Sequence, residues 1–141
     1  MTDPSNAMHS FQKEFLVGTI SLRPGAVHPD LYLHADNPQG TPRFSYVRLE
    51  NGTVTAFVNF VLVEPIEGEH CFNIGYAVPD EYRNQGRAKE AVGMAIAEMQ
   101  HGLARGRIST FYVEAIRRLL EPITSHHKGS PGRLSPQRQL Q

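Results

Sequence analysis

The period of the apolar residues changes once along this chain, and that change limits the folds it can adopt. Up to Pro79 the apolar residues fall in short alternating or continuous runs. From Ala88 they recur at Ala91, Val92, Ala95, Ile96, Met99 and Leu103. Spacings of three and four residues line up as one stripe on a helix, whereas short β-branched and aromatic runs are strands. Between the two regimes lies Arg83-Asn84-Gln85-Gly86-Arg87-Ala88. The order of elements is therefore several strands, a glycine-containing turn and one long amphipathic helix.

The strands follow from local chemistry. Residues 15–22 form an apolar run stopped by Pro24-Gly25 and predict a first strand. The stretch up to Pro42 holds Pro24, Pro29, Pro38 and Pro42, which predicts a loop with one helical turn. Residues 44–50 alternate and lead into Asn51-Gly52, the pair that tolerates the positive φ of a type I′ hairpin turn. Residues 53–63 are almost continuously β-branched or aromatic, broken by Asn59, as in a central strand covered on both faces. Residues 65–69 form a second connection and 71–78 the next strand. After the helix, with Gly106 as a left-handed terminator, residues 108–114 predict a strand parallel to its predecessor. Residues 117–120 predict a short helix stopped by Pro122. The fold class is α+β: a mixed, mostly antiparallel twisted sheet with helices on its faces.

Length and composition narrow the function. At 141 residues one domain can bury roughly two-thirds of its unfolded surface without disulfides or metal. Cys71 is the only cysteine, which excludes a disulfide framework and suits a reducing cytoplasm. No apolar run reaches the roughly 18 residues of a membrane span, and no signal peptide is visible. Formal net charge is +0, so a nucleic-acid partner is not expected. Charge is unevenly placed: residues 1–104 carry seven Lys and Arg against twelve Asp and Glu, residues 105–141 seven against two. The basic, proline-containing stretch 122–141 is expected to be a tail beyond a domain at 11–121. Ser5-Asn6-Ala7 ahead of Met8 reads as a cloning remnant, so residues 1–10 carry no functional expectation.

The turn before the helix is the informative feature. The first turn of a helix presents unpaired N–H groups and the positive end of the peptide dipoles, a natural seat for a pyrophosphate. Gly86 keeps a Cβ out of the way, and Arg83, Arg87 and Lys89 add positive charge. Ordinary turn chemistry with solvated arginines is the alternative reading of the same residues.

Arg-x-x-Gly-x-Ala, preceded by Ile74-Gly75-Tyr76-Ala77-Val78-Pro79 and followed by Lys89-Glu90-Ala91, resembles the acetyl-coenzyme-A motif of the GNAT N-acetyltransferase superfamily. The Ile-Gly-Tyr run is especially similar to the branch that contains ribosomal-protein N-terminal acetyltransferases. The resemblance implies a GNAT-like acyl-CoA N-acyltransferase fold with acetyl-CoA as cosubstrate. The main chain of Tyr76, Ala77 and Val78 would then pair with the pantetheine arm, and Arg83, Asn84, Gln85, Gly86, Arg87, Ala88 and Lys89 would surround the pyrophosphate. An amine acceptor, of unperturbed pKa about 10.4, must lose a proton before it attacks.

Glu69 and His70 at the start of one strand and Glu114 at the end of the next are the candidate bases. Each has a plainer role open to it: a solvated carboxylate for Glu69, a structural histidine for His70, an arginine partner for Glu114. Relatives often carry an acid where this chain has Asn73, which can orient water but cannot take a proton. Relatives also continue into an Asn-x-x-Ser helix start, a Gly-Phe turn and two more strands. These are absent here, as is any tyrosine after Tyr112, so the fold is expected to lack its usual last strands and to leave an edge open to a homodimer partner.

Other features carry less. Cys71 is expected as a buried thiol, His126-His127 as a solvated pair without metal, and Arg117, Arg118, Lys128, Arg133 and Arg138 as a solvated basic tail. Two functions stay open: an acetyl-CoA-dependent N-acetyltransferase acting on a small-molecule amine or a protein N-terminus, and a catalytically impaired coenzyme-A-binding or protein-interaction module.

Overall fold

The sheet is built on hairpins whose turns the sequence specifies. Asn51 and Gly52 adopt φ of 53° and 79°, the two left-handed residues of a type I′ turn. They join strands at Arg43–Glu50 and Thr53–Ile66. Glu67 and Gly68 repeat the device with φ of 51° and 80°, returning the chain into Glu69–Ala77. The computed structural model describes residues 3–115 and the backbone of 118–120, 123–124 and 139–140. In chain order the elements are α1 (Pro4–Leu16), β1 (Arg23–Pro24), β2 (Leu31–Asp36), β3 (Arg43–Glu50), β4 (Thr53–Ile66), β5 (Glu69–Ala77), α2 (Arg87–Arg105), β6 (Thr110–Ala115), β7 (Arg118–Leu120), β8 (Ile123–Thr124) and β9 (Gln139–Leu140).

Among the described residues the strands form one sheet in the order β1-β2-β3-β4-β5-β6-β7-β9, with β8 also on β6. All pairs are antiparallel except β5 with β6, which the helical crossover makes parallel. The mixed, mostly antiparallel sheet with helices on its faces is as expected. No helix among the described residues is long and apolar enough to cross a membrane.

Several local expectations give way. The run 15–22 is not a strand: Phe15 and Leu16 end α1, and residues 17–22 lead into the two-residue β1. Asp3 caps α1 through its side chain, which accepts from the Ser5 N–H at 2.8 Å, and Pro4 opens the first turn. Met8, Phe11 and Phe15 are helically spaced and pack on the sheet, so residues 4–10, which carried no expectation, are the first part of α1. The stretch to Pro42 contains the expected helical turn, at Pro38–Gly40, but also β2. Strand β4 continues through Pro65, whose missing N–H falls where the ladder with β5 is irregular, between Val63 and Ile66. Gly106 has φ of −90°, and the left-handed residue after α2 is Arg107, at 68°. Residues 118–120 pair with β6 as a strand instead of forming a helix. Strands β7 and β8 therefore occupy the edge expected to be open. The expected tail, 122–141, lies outside the described residues apart from its two short strands.

From Ala56 onward side chains alternate across β4 between two layers, and a bulge opposite Arg48 and Leu49 switches the face of Val54 before them. Ala56, Val58 and Phe60 meet Ala91, Val92, Ala95, Ile96 and Met99 of α2, with Phe72, Ile74, Phe111 and Val113 in the same cluster. Val54 and Phe57 meet Met8 and Phe11 of α1. Full burial of each Val, Ile, Met or Phe contributes about 1.5–3 kcal/mol.

One polar contact holds the irregular segment before β2. Glu98 in α2 is 6% exposed, and its carboxylate accepts from the N–H groups of Ala26 at 3.0 Å, Val27 at 2.8 Å and His28 at 2.5 Å. A Cβ on Gly25 would lie 2.4 Å from Glu98 Oε2 and 2.6 Å from the His28 carbonyl oxygen. Replacing Glu98 by Ala, or Gly25 by Ala, is expected to lower unfolding free energy by about 3 kcal/mol, because three donors lose their acceptor or the loop must shift. Urea denaturation reads the loss; an unchanged midpoint for both variants would contradict the clamp.

Cys71 is 1% exposed. Burial first, and the Glu114 carboxylate second, push its thiol from 9.0 up to about 11. The unfolded thiol therefore releases its proton before the folded one does. Its contribution to stability is full below pH 9.0 and is lost progressively as pH rises to about 11. Between pH 8 and 10.5 the wild-type protein should lose stability more steeply than Cys71→Ala, measured by denaturant titration at each pH.

Candidate functional site

The chain leaves β5 at Ala77, makes a one-turn 3-10 helix at Asp80–Tyr82, and enters α2 through a turn with two left-handed residues, Asn84 at φ 61° and Gly86 at φ 74°. Gly86 is the N-cap of α2 and has no side chain to cap it. The first closing bond runs from the Glu90 N–H to the Gly86 carbonyl at 3.0 Å. The N–H groups of Arg87, Ala88 and Lys89 thus have no partner inside the helix. A Cβ at Gly86 would meet nothing within 4 Å, so the glycine is required by its φ and not by crowding.

A cavity of about 470 Å³ opens at this helix start. Of the ten residues expected around a cofactor, Tyr76, Ala77, Val78, Arg83, Asn84, Gly86, Arg87, Ala88 and Lys89 line it; Gln85 does not. Tyr82 and Ser5 line it as well, and neither was read from sequence. Tyr82 belongs to no motif, and Ser5 lies in a segment whose sequence gives no functional signal.

Charge is less concentrated here than the sequence suggests. Arg87 pairs with Glu50 at 2.7 Å, donates to Gln85 at 3.1 Å and stacks 4.7 Å from the Tyr82 ring centre. Arg83 pairs with Asp80 at 3.1 Å and donates to the Val78 carbonyl at 3.4 Å. Lys89 is exposed and makes no ion pair with a described residue. Main-chain N–H groups and Lys89, more than the two arginines, are the donors free to meet an anion.

The β5–β6 ladder parts halfway. It runs from His70↔Phe111 to Asn73↔Glu114 and stops, leaving Ile74 to Ala77 without a strand on that side among the described residues. Paired residues in a ladder share a face, so Asn73 and Glu114 stand side by side where the strands separate. Glu69, exposed, shares that face at the far end of β5. His70, also exposed, lies on the opposite face with Phe111. Of the three candidate bases, Glu114 alone sits at the parting. Tyr112 donates to Glu67 at 3.2 Å, and its hydroxyl is raised by desolvation and by that bond.

On the α1 face the ladders assemble rows across the sheet. Tyr32, Val47, Phe57 and Ala77 form an apolar row under α1; His34, Ser45, Asn59 and Gly75 form the next; Asp36, Arg43, Val61, Asn73 and Glu114 the one beyond. A second cavity, about 600 Å³, lies over the two polar rows. Arg43 grips Asp36 through two bonds, 2.9 and 2.6 Å, which raise the guanidinium's proton affinity further. Asn59 is 5% exposed and its Oδ1 has no hydrogen-bond partner among the described residues. Sequence reading noticed Asn59 only as a break in an apolar strand; its register opposite Ser45 is tertiary information.

The description of the acetyltransferase (GNAT) family matches residues 7–116. No curated protein and no solved structure matches the chain. The family match spans most of the chain and takes in the parted strands, the left-handed turn and the helix start: the protein belongs to the acetyltransferase (GNAT) family.

Proposed function

We propose that the protein is an acetyl-CoA-dependent N-acetyltransferase that acetylates a primary amine by direct attack on the thioester. The observation that carries this reading is the coincidence of two openings along β5. Its edge away from β4, free at Ile74–Ala77 among the described residues, leads to the α2 N–H groups that have no partner inside the helix, and its half paired with β6 ends at Asn73 and Glu114. Bound along that edge, acetyl-CoA supplies an activated acetyl group. The chain's own residues then have separate tasks. Main-chain groups of Tyr76, Ala77 and Val78 bond an extended arm, and the N–H groups of Arg87, Ala88 and Lys89 hold a diphosphate. Glu114 takes a proton from the acceptor's ammonium group, directly or through a water oriented by Asn73, and the freed amine would then attack the thioester carbonyl, forming the amide as the C–S bond breaks and coenzyme A leaves as thiolate.

A second reading, a coenzyme-A-binding module without catalysis, is favoured by Asn73 standing where relatives often have an acid and by the lack of a tyrosine after Tyr112. The Ile74-Gly75-Tyr76 run supports likeness to the ribosomal-protein branch in the cofactor-facing strand only. A cytoplasmic setting is proposed on the single buried thiol, and a homodimer would appear as a concentration-dependent sedimentation coefficient.

Acetyl-CoA at 100 times its dissociation constant is expected to stabilise the fold by roughly 2.7 kcal/mol, seen as a rise in Tm. Gly86→Glu should abolish the rise by placing a carboxylate and a strained φ at the helix start; an undiminished rise would refute the cradle. Glu114→Gln should keep the Tm rise while lowering kcat by about 10²–10⁴. Unaltered thiol release in that variant would remove Glu114 from the reaction, and no thiol release by the wild type across an amine panel would establish the non-catalytic reading.

A further inference from the structure

A cation at the start of α2 is answered by a carboxylate from a distant strand. Arg87, the first residue of α2, donates through Nη1 to Glu50 at 2.7 Å and through Nε to Gln85 at 3.1 Å. Its guanidinium lies 4.7 Å from the Tyr82 ring centre. Arg87 and Tyr82 line the cavity at the helix start, and Glu50 does not. A carboxylate that stands behind the wall can influence an anion in that cavity only through the arginine it holds, or through its bare charge.

The main chain that carries Glu50 is fixed from the other side of the sheet. Glu50 ends β3 directly before the Asn51-Gly52 turn. The Gln12 side chain of α1 donates to the Gly52 carbonyl at 3.2 Å and accepts from the Val54 N–H at 2.6 Å. The pair is also better sheltered than its counterpart in the turn. The Arg87 and Glu50 side chains are 26% and 48% exposed, whereas those of Arg83 and Asp80 are 58% and 87% exposed, so water screens the second pair more. Arg87 Nη2 makes no bond to a described residue. Glu50 therefore takes net charge from the arginine, not all of its donors, and a neutralised guanidinium draws an anion less strongly than a free one.

We propose that Glu50 is a positioning residue of the cofactor site: it holds Arg87 against the turn and offsets its charge, so that the helix start grips a diphosphate loosely enough for coenzyme A to leave after each transfer. The proposal rests on the acetyl-CoA reading of this cavity and adds to it a residue that acts on the cofactor without lining its site.

Calorimetric titration of the full chain with acetyl-CoA and with coenzyme A tests this. Glu50→Gln keeps the side-chain shape and removes its charge. It should tighten both ligands roughly two- to fivefold and slow the dissociation of coenzyme A by a similar factor. The gain should fade at ~1 M salt, where charges act over about 3 Å. Glu50→Ala should change affinity in the same direction and keeps the test valid should the glutamine variant fold poorly. Asp80→Asn removes an equal charge beside the same turn and should change affinity less. Arg87→Gln should weaken binding more in the Glu50→Gln background than in the wild type, because its charge is then no longer offset. A Glu50 that serves only the fold would lower the Tm of the unliganded protein without tightening either ligand. The proposal is overturned if the Glu50 variants bind as the wild type does or more weakly, if Asp80→Asn tightens binding as much, or if the Glu50 and Arg87 effects simply add. Absence of any acetyl-CoA or coenzyme A binding by the wild type would sink the cofactor reading itself, whereas wild-type binding that Glu50→Gln leaves unimproved sinks this proposal alone.

Discussion

Both faces of β4 are covered, and the placement of every other element follows from how its alternating side chains are shared out. Ala56, Val58 and Phe60 go to α2 and Phe57 goes to α1, while a bulge opposite Arg48 and Leu49 moves Val54 to the α1 side as well. Because a strand repeats every two residues, slipping the register by one would send Asn59 into the α2 layer and Phe60 out of it. The hairpin turns at Asn51-Gly52 and Glu67-Gly68 prevent that slip by fixing where β3 and β5 begin. The polar floor on one face and the apolar core on the other are therefore two consequences of one register.

The same register places chemistry where the sheet changes direction. Strand β6 arrives after a helix and pairs parallel with β5 for four residues only. Beyond Asn73 and Glu114, β5 keeps β4 on one side but has no strand on the other among the described residues, and just past this edge the chain turns into α2, whose first N–H groups have no partner inside the helix. Two unmet sets of backbone donors and acceptors lie next to each other along one edge. The function proposed above would give both a use, since an extended arm needs the edge and a diphosphate needs the helix start. The arginines of the turn serve mainly to hold it: Arg87 is drawn back by Glu50 and Tyr82, and Arg83 by Asp80.

Much of this architecture was legible in sequence because it is local. Asn51-Gly52 announces a hairpin, the spacing from Ala88 to Leu103 announces α2, and nine of the ten residues expected around the helix start do share one cavity. The misreadings have physical causes too. Phe15 and Leu16 resemble a strand only when seen apart from Met8 and Phe11, whose spacing with Phe15 makes them one face of α1. Pro65 suggested a break in β4, but a residue without an N–H is tolerated where the ladder is already irregular. Gly106 suggested a left-handed terminator, yet Arg107 takes that conformation, because the positive φ falls one residue later than the glycine.

Sequence by itself determined the period of each element, the turns that accept positive φ, and the strand–turn–helix order that marks the family, since each depends on neighbours a few residues apart. Only the tertiary structure decided which side chains meet. Asp36, Arg43, Val61, Asn73 and Glu114 span 79 positions of the chain yet form one row across five strands. Their alignment is set by pairing register and by the crossover through α2, long-range constraints that no local spacing records.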